Sequence, residues 1–122
     1  MKKIITLFLT VLLFSNVSGE TDYTEIEKKV ASASNFFNKA YEMNDVEAYF
    51  SLYDKNAMIY FYGERWTVSD YYDNWKNNMV GAGGGVEKNA TSDIQIKVAP
   101  SGNTAVISFY IDNRSRSPEG EI

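Results

Sequence analysis

Neither cysteine nor histidine occurs anywhere in the 122 residues of this chain, and proline occurs only twice. Without cysteine, no disulfide can staple the fold in an oxidising compartment, and no lipid-bearing cysteine can follow a leader. Without either residue there is no Ser-His-Asp or Cys-His nucleophile system and no ordinary zinc site. Any catalysis must therefore use carboxylates, tyrosines, lysines or backbone groups. Basic residues are scarce too, with 12 Lys and Arg against 16 Asp and Glu. An acidic surface repels nucleic acid and anionic membranes, and no basic cluster suited to tracking phosphates interrupts it.

What is present begins with a leader. Lys2-Lys3 precede the apolar run Ile4 to Phe14, and the small residues Ser15-Asn16-Val17-Ser18-Gly19 follow. This is the order of a secretory signal peptide with Val17 and Gly19 at the −3 and −1 positions. This run of 11 residues falls short of the roughly 20 a membrane helix needs. Residues 1 to 19 are expected to be removed, leaving a 20–122 domain that is exported to a periplasmic or extracellular location, with no membrane attachment after cleavage. Loss of Lys2 and Lys3 leaves 10 basic and 16 acidic residues, a net charge of −6. Two glycosylation-type triplets, Asn89-Ala90-Thr91 and Asn113-Arg114-Ser115, read as chance matches beside a bacterial-type leader.

From Thr21 to Met43, Ile26, Val30, Ala33, Phe37 and Ala40/Tyr41 recur every three or four residues, the stripe of a helix lying on a core. Asp22 followed by Glu25 makes a capping box. Asn44-Asp45 breaks the pattern, and Asp45 caps a second short helix that buries Val46, Tyr49, Phe50 and Leu52. Ala57 to Tyr62 is β-branched and aromatic and ends at Gly63, so it reads as a strand. Glu64-Arg65-Trp66 reads as the turn from that strand into a helix opened by Thr67 and Asp70, with Tyr71, Trp75 and Met79 on one face. Gly81 to Gly85 reads as a flexible connector. Ile94, Ile96 and Val98 alternate, as do Ala105, Ile107, Phe109 and Ile111, with Pro100-Ser101-Gly102-Asn103 between them: an antiparallel hairpin. Helix, helix, strand, helix, strand, strand is an α+β order in one domain.

The stretch Asn44 to Trp75, NDVEAYFSLYDKNAMIYFYGERWTVSDYYDNW, resembles the SnoaL-like branch of the nuclear transport factor 2-like superfamily, to which the ketosteroid isomerases are related. The resemblance covers about residues 22 to 122. It implies a curved antiparallel sheet around the long N-terminal helix, leaving a conical pocket. Family members continue with one or two further strands after the position of Glu121-Ile122, so the chain is expected to be C-terminally incomplete.

The aromatic side chains are the first candidates for that pocket. Phe37, Tyr41, Tyr60, Tyr62, Trp66 and Trp75 are expected to line a site for a small apolar or aromatic ligand; core packing is the competing role for each ring. Ketosteroid isomerases place a catalytic base late in the first strand and an acid on a later strand. Aligned without a gap from Tyr53, the base position falls on Phe61, which cannot take a proton. Asp112 is the acid nearest the second position and is the catalytic candidate, provided that it points inward. Arg65 and Trp66 could guard a pocket mouth. The glycine run fails the dinucleotide fingerprint, because position 86 is Val86 and the run follows a helix rather than a strand, so no cofactor is expected. Three functions follow: a small-ligand-binding protein, an isomerase or cyclase using Asp112 and a tyrosine, or a module that forms a homodimer through its sheet.

Overall fold

The computed structural model describes residues 22–61 and 63–122; the expected leader and Tyr62 lie outside the described residues. The elements in chain order are α1 (Tyr23–Glu42), α2 (Val46–Phe50), β1 (Met58–Phe61), β2 (Glu64–Thr67), α3 (Val68–Asp73), a π-helical segment (Asn74–Val80), β3 (Gly85–Val98) and β4 (Ala105–Arg116). The architecture is α+β: one long helix and two antiparallel two-stranded sheets, β1 with β2 and β3 with β4.

The helices start where their caps dictate. Asp22 Oδ1 accepts from the Glu25 backbone N–H at 3.2 Å, Asp45 Oδ1 from Ala48 at 3.1 Å and Thr67 Oγ1 from Asp70 at 3.0 Å, each satisfying a donor that the first helical turn leaves without a partner. After Met43, Asn44 takes a left-handed conformation with φ 56°, which its short polar side chain tolerates better than most. That kink breaks α1 from α2.

Helix α1 lies along β3 and is tied to the hairpin at three levels. Near the N-terminal end of α1, Tyr23 OH donates to the Pro100 carbonyl at 2.9 Å. Further along, Asn89 Nδ2 donates to the Asn38 carbonyl at 3.2 Å. Beyond the C-terminal end, Asn44 makes a reciprocal pair with Val86: its Nδ2 donates to the Val86 carbonyl at 2.9 Å, and the Val86 N–H donates to its Oδ1 at 2.7 Å. A side-chain amide thus pairs with β3 as a neighbouring strand would.

The hairpin is longer than alternation alone predicts, reaching back to Gly85 and on to Arg116, with register Gly85↔Arg116 at one end and Val98↔Ala105 at the other. The missed half has two buried side chains, Val86 and Asn89, 6 and 8 % exposed; they stand three apart across a register shift and one is polar, so no apolar alternation shows there, and Asn89 hydrogen-bonds α1. Ile94 does not keep its predicted place beside Ile96 and Val98. The register shifts between Ser92 and Gln95, where Asp93 has φ 50°, and this bulge leaves Ile94 half exposed.

Glu64-Arg65-Trp66 is not a turn. The chain reverses through Gly63, φ 81°, and Glu64 to Thr67 pair with β1 in the register Phe61↔Glu64 to Met58↔Thr67. After α3, the bonds from Gly81 N to Lys76 O and from Gly84 N to Met79 O each span five residues, the wider π spacing.

The core gathers Ala40, Val46, Tyr49, Phe50, Ile59, Tyr71, Trp75 and Val86. It is unusually aromatic: Phe50 meets Tyr71 edge-on at 5.8 Å, and Tyr41 stacks on Trp75 at 5.7 Å, geometries that aromatic rings prefer. No helix among the described residues is long and apolar enough to cross a membrane.

Replacing Asn44 by Ala removes both bonds to Val86 and leaves part-buried backbone groups unpaired, which costs about 1–3 kcal/mol. Urea denaturation of Asn44→Ala should register this as a lower midpoint. Gly85→Ala should act in the same direction, because a Cβ there would lie 2.4 Å from Asn44 Oδ1 at a φ of +134°. Unchanged midpoints in both variants would show that the clamp is dispensable.

Candidate ligand-binding trough

The apolar stripe of α1 brings Phe37 and Tyr41 to the inner side of the molecule, and the α2 cap presents Tyr49, with Tyr53 one turn later. Opposite them, the odd-numbered residues of β4 point inward, because strand side chains alternate: Ile107, Phe109, Ile111 and Asn113. Two hollows lie between these walls. One of about 380 Å³ is lined by Val30, Ala33, Ser34, Phe37, Leu52, Tyr53, Ile107 and Phe109. The other, of about 220 Å³, is bounded by Phe37, Asn38, Tyr41, Tyr49, Tyr53, Ile59, Tyr60, Phe61, Tyr71, Phe109, Ile111 and Asn113. Phe37, Tyr53 and Phe109 wall both, so the two hollows adjoin across these three rings and together make up the trough. A wider depression of about 590 Å³ at the hairpin tip, around Pro100 and Val106, has no aromatic lining among the described residues and lies away from every candidate residue.

Apart from Ser34, the polar side chains that line the trough border the smaller hollow. Asn113 Nδ2 donates to Tyr41 OH at 2.9 Å, and Ser115 Oγ donates to Asn113 Oδ1 at 3.3 Å. The Tyr49 and Tyr53 hydroxyls share a hydrogen bond at 2.9 Å. Behind this wall Asn38 Nδ2 donates to the Ser34 carbonyl at 2.9 Å, and Asn89 Nδ2 reaches Asn38 Oδ1 at 3.3 Å. The buried Asn89 Oδ1 has no partner among the described residues. Burial pushes the Tyr49 phenol far above its ordinary value, and the neighbouring Tyr53 adds to the effect. Burial also raises Tyr53, partly offset by its hydrogen bond with Tyr49.

Of the residues that the sequence nominated, Phe37, Tyr41 and Tyr60 border the trough; Tyr60 does so from the rim, 73 % exposed. Trp75 is 6 % exposed and serves the core, its indole covered by Tyr41. Trp66 packs on Tyr71 at 5.8 Å and does not line either hollow. Tyr62 lies outside the described residues. Sequence reasoning missed Tyr49, Tyr53, Asn38, Phe109 and Asn113. For Phe109 the signal existed in the β4 alternation; for the asparagines there was none, because two polar residues on a helix and a strand look solvated until the elements meet.

Asp112 faces outward, on the opposite side of β4 from Phe109 and Ile111. It is paired with Lys88 and largely exposed. The hydrogen bond from Lys88, reinforced by its charge, holds the Asp112 carboxyl below the usual range, the reverse of what a general base beside an apolar substrate needs. The catalytic candidacy of Asp112 fails on strand parity: an even-numbered residue here points away from the trough. Phe61 borders the smaller hollow, and no carboxylate is found among the described lining residues of either hollow. No group of three or more His, Cys, Asp or Glu that could hold a metal occurs among the described residues.

Outside the trough, Glu47, Tyr72 and Lys76 form an exposed knot: Lys76 Nζ lies 2.7 Å from Glu47 Oε1 and 2.6 Å from Tyr72 OH, and Tyr72 OH also donates to Glu47. It ties α2 to the π-helical segment. Compared with known proteins, the chain matches no family model, no curated protein and no solved structure.

Because Tyr49 and Tyr53 are held protonated in the folded state, the unfolded chain releases their protons first as pH rises through the ordinary tyrosine value of 10.0. Stability is therefore full below that pH and falls above it. Urea midpoints at pH 8 and pH 11 should show the fall, and Tyr49→Phe should flatten it. Equal slopes in both proteins would mean that Tyr49 ionises freely while folded.

Proposed function

We propose that this chain is an exported small-ligand-binding protein with a SnoaL-like, nuclear transport factor 2-like fold, holding an apolar or aromatic molecule in the trough between α1, Tyr53 and β4. One observation carries the reading: two adjoining hollows of about 380 and 220 Å³ share an aromatic waist of Phe37, Tyr53 and Phe109. Their combined size suits a small organic molecule, and apolar walls with a few convergent polar groups are the usual make-up of such sites. The superfamily's conical pocket between long helix and sheet is the arrangement this trough would correspond to. Binding without proton transfer is favoured over isomerase chemistry, because Asp112 is directed outward and Phe61 occupies the place of a base.

The driving force is removal of flat apolar surface from water, worth about 25 cal/mol per Å² before ordering costs. N-phenyl-1-naphthylamine, an uncharged fluorophore, should therefore bind saturably with a blue-shifted emission. Ala33→Phe places a ring in the larger hollow and should weaken that binding at least about tenfold while leaving the circular dichroism spectrum unchanged. Absence of saturable binding to the wild-type protein would sink the reading, as would full binding by Ala33→Phe.

A further inference from the structure

We propose that a second copy of this chain pairs with the free edge of β4, joining two β3–β4 hairpins edge to edge into one four-stranded antiparallel sheet. The contact lies in the plane of the sheet rather than on its face, and it does not depend on the trough being a binding site.

Backbone direction decides which groups are free. At the hairpin tip the Ala99 N–H donates to the Thr104 carbonyl at 2.8 Å, so Ala99 and Thr104 form a hydrogen-bonded pair. Such pairs recur at every second residue of an antiparallel ladder. β4 therefore aims the N–H and C=O of Val106, Ser108, Tyr110 and Asp112 at β3. Both register shifts place their extra residue in β3, between Val86 and Lys88 and between Ser92 and Gln95, so the parity holds along β4. The N–H and C=O of Ala105, Ile107, Phe109, Ile111 and Asn113 point the other way, where no strand pairs with β4 among the described residues. Each is a donor or acceptor that an added strand satisfies.

No other described edge offers such a template. The outer edge of β3 is bent by the bulge at Asp93, and its Val86 N–H and C=O are taken by Asn44. β1 and β2 have four residues each. β4 has 12, without a bulge, and from Ala105 to Asn113 its only charged residue is Asp112. The lysines, prolines and bulges that discourage edge pairing are absent from that stretch.

Two observations choose the register. Past β4 the Ser117 N–H donates to the Glu121 carbonyl at 2.7 Å, so the tail folds back beside Ser117 and a partner must pair nearer the hairpin tip. Two antiparallel copies of 105–113 centred on Phe109 meet that condition and set odd residues opposite odd ones, as the hydrogen bonds require. Phe109 then faces Phe109 of the partner subunit, and Ile107 faces the partner subunit's Ile111, twice by symmetry. Ile111, half exposed in the single chain, gains an apolar neighbour, and no like charges are opposed.

The absence of cysteine from the chain makes cross-linking a direct test. On the outer face this register sets Val106 opposite the partner's Asp112, a pair outside the hydrogen-bonded set with Cα atoms about 4.5 Å apart, within disulfide reach. Inside one chain the same two positions are about 20 Å apart along the strand. Under copper–phenanthroline oxidation, the double variant Val106→Cys/Asp112→Cys should form a covalent dimer, and either single variant should stay monomeric. In sedimentation velocity the wild-type protein should show a monomer–dimer equilibrium between about 1 and 300 μM, the range of a small interface. Ile111→Pro deletes an edge N–H that β3 does not use and should weaken that equilibrium at least about tenfold. A wild-type protein that stays monomeric throughout this range would overturn the inference. Single-cysteine variants that cross-link as readily as the double variant would do the same, because they would put the contact on the face of the sheet.

Discussion

The reciprocal pair between the Asn44 side chain and the Val86 backbone is the contact on which the rest of the molecule depends. α1 and β3 are separated in sequence by more than forty residues and share little apolar patterning where they meet. Two hydrogen bonds of 2.7 and 2.9 Å fix the end of the helix to the start of the strand, and hence which face of β4 looks at Phe37 and Tyr41. The pair also explains two local oddities. Asn44 needs its left-handed backbone to aim its amide at Val86, and Gly85 must lack a Cβ because that amide occupies the space. A helix break, a glycine and a strand start serve one contact.

From that anchor the trough follows by geometry. α1 lies over β3 rather than over β4, so the inner residues of β4 are only partly covered; Ile111 remains half exposed. Tyr49 and Tyr53 fill part of the opposite wall and hold each other by their hydroxyls. The result is a cavity whose polar side chains, among the described residues, are phenols, carboxamides and Ser34. Such a site can orient an uncharged molecule, but it offers no described carboxylate to move a proton; Asp112 and Glu47 are instead held in surface pairs with Lys88 and Lys76, which contribute little to stability.

How far the sequence could be read depended on whether a residue's partner was near in the chain. Asp22, Asp45 and Thr67 were legible as caps because each bonds a backbone N–H three residues on. The stripe of α1 and the alternation of β4 were legible because a regular element repeats its own buried face. β2 was not: Glu64-Arg65-Trp66-Thr67 has no strand pattern and is held by pairing with β1. The N-terminal half of β3 was also hidden, because its inner residues are Val86 and the polar Asn89, set out of alternation by a register shift. Among the candidate site residues, Trp66 and Trp75 were misassigned for the same reason. A ring's chemistry does not say whether another ring covers it, and Tyr71 and Tyr41 cover these two.

The sequence by itself determined that the chain is α+β, where its long helix and the strand β4 run, and that these 122 residues hold no histidine or cysteine. Those are properties of composition and of short-range periodicity. Only the tertiary structure decided that Asp112 points away from the trough, that Trp75 belongs to the core, and that Tyr41, Tyr49, Tyr53 and Asn113 meet around one cavity. These depend on strand parity relative to a helix docked across dozens of residues, and one asparagine clamp sets that docking.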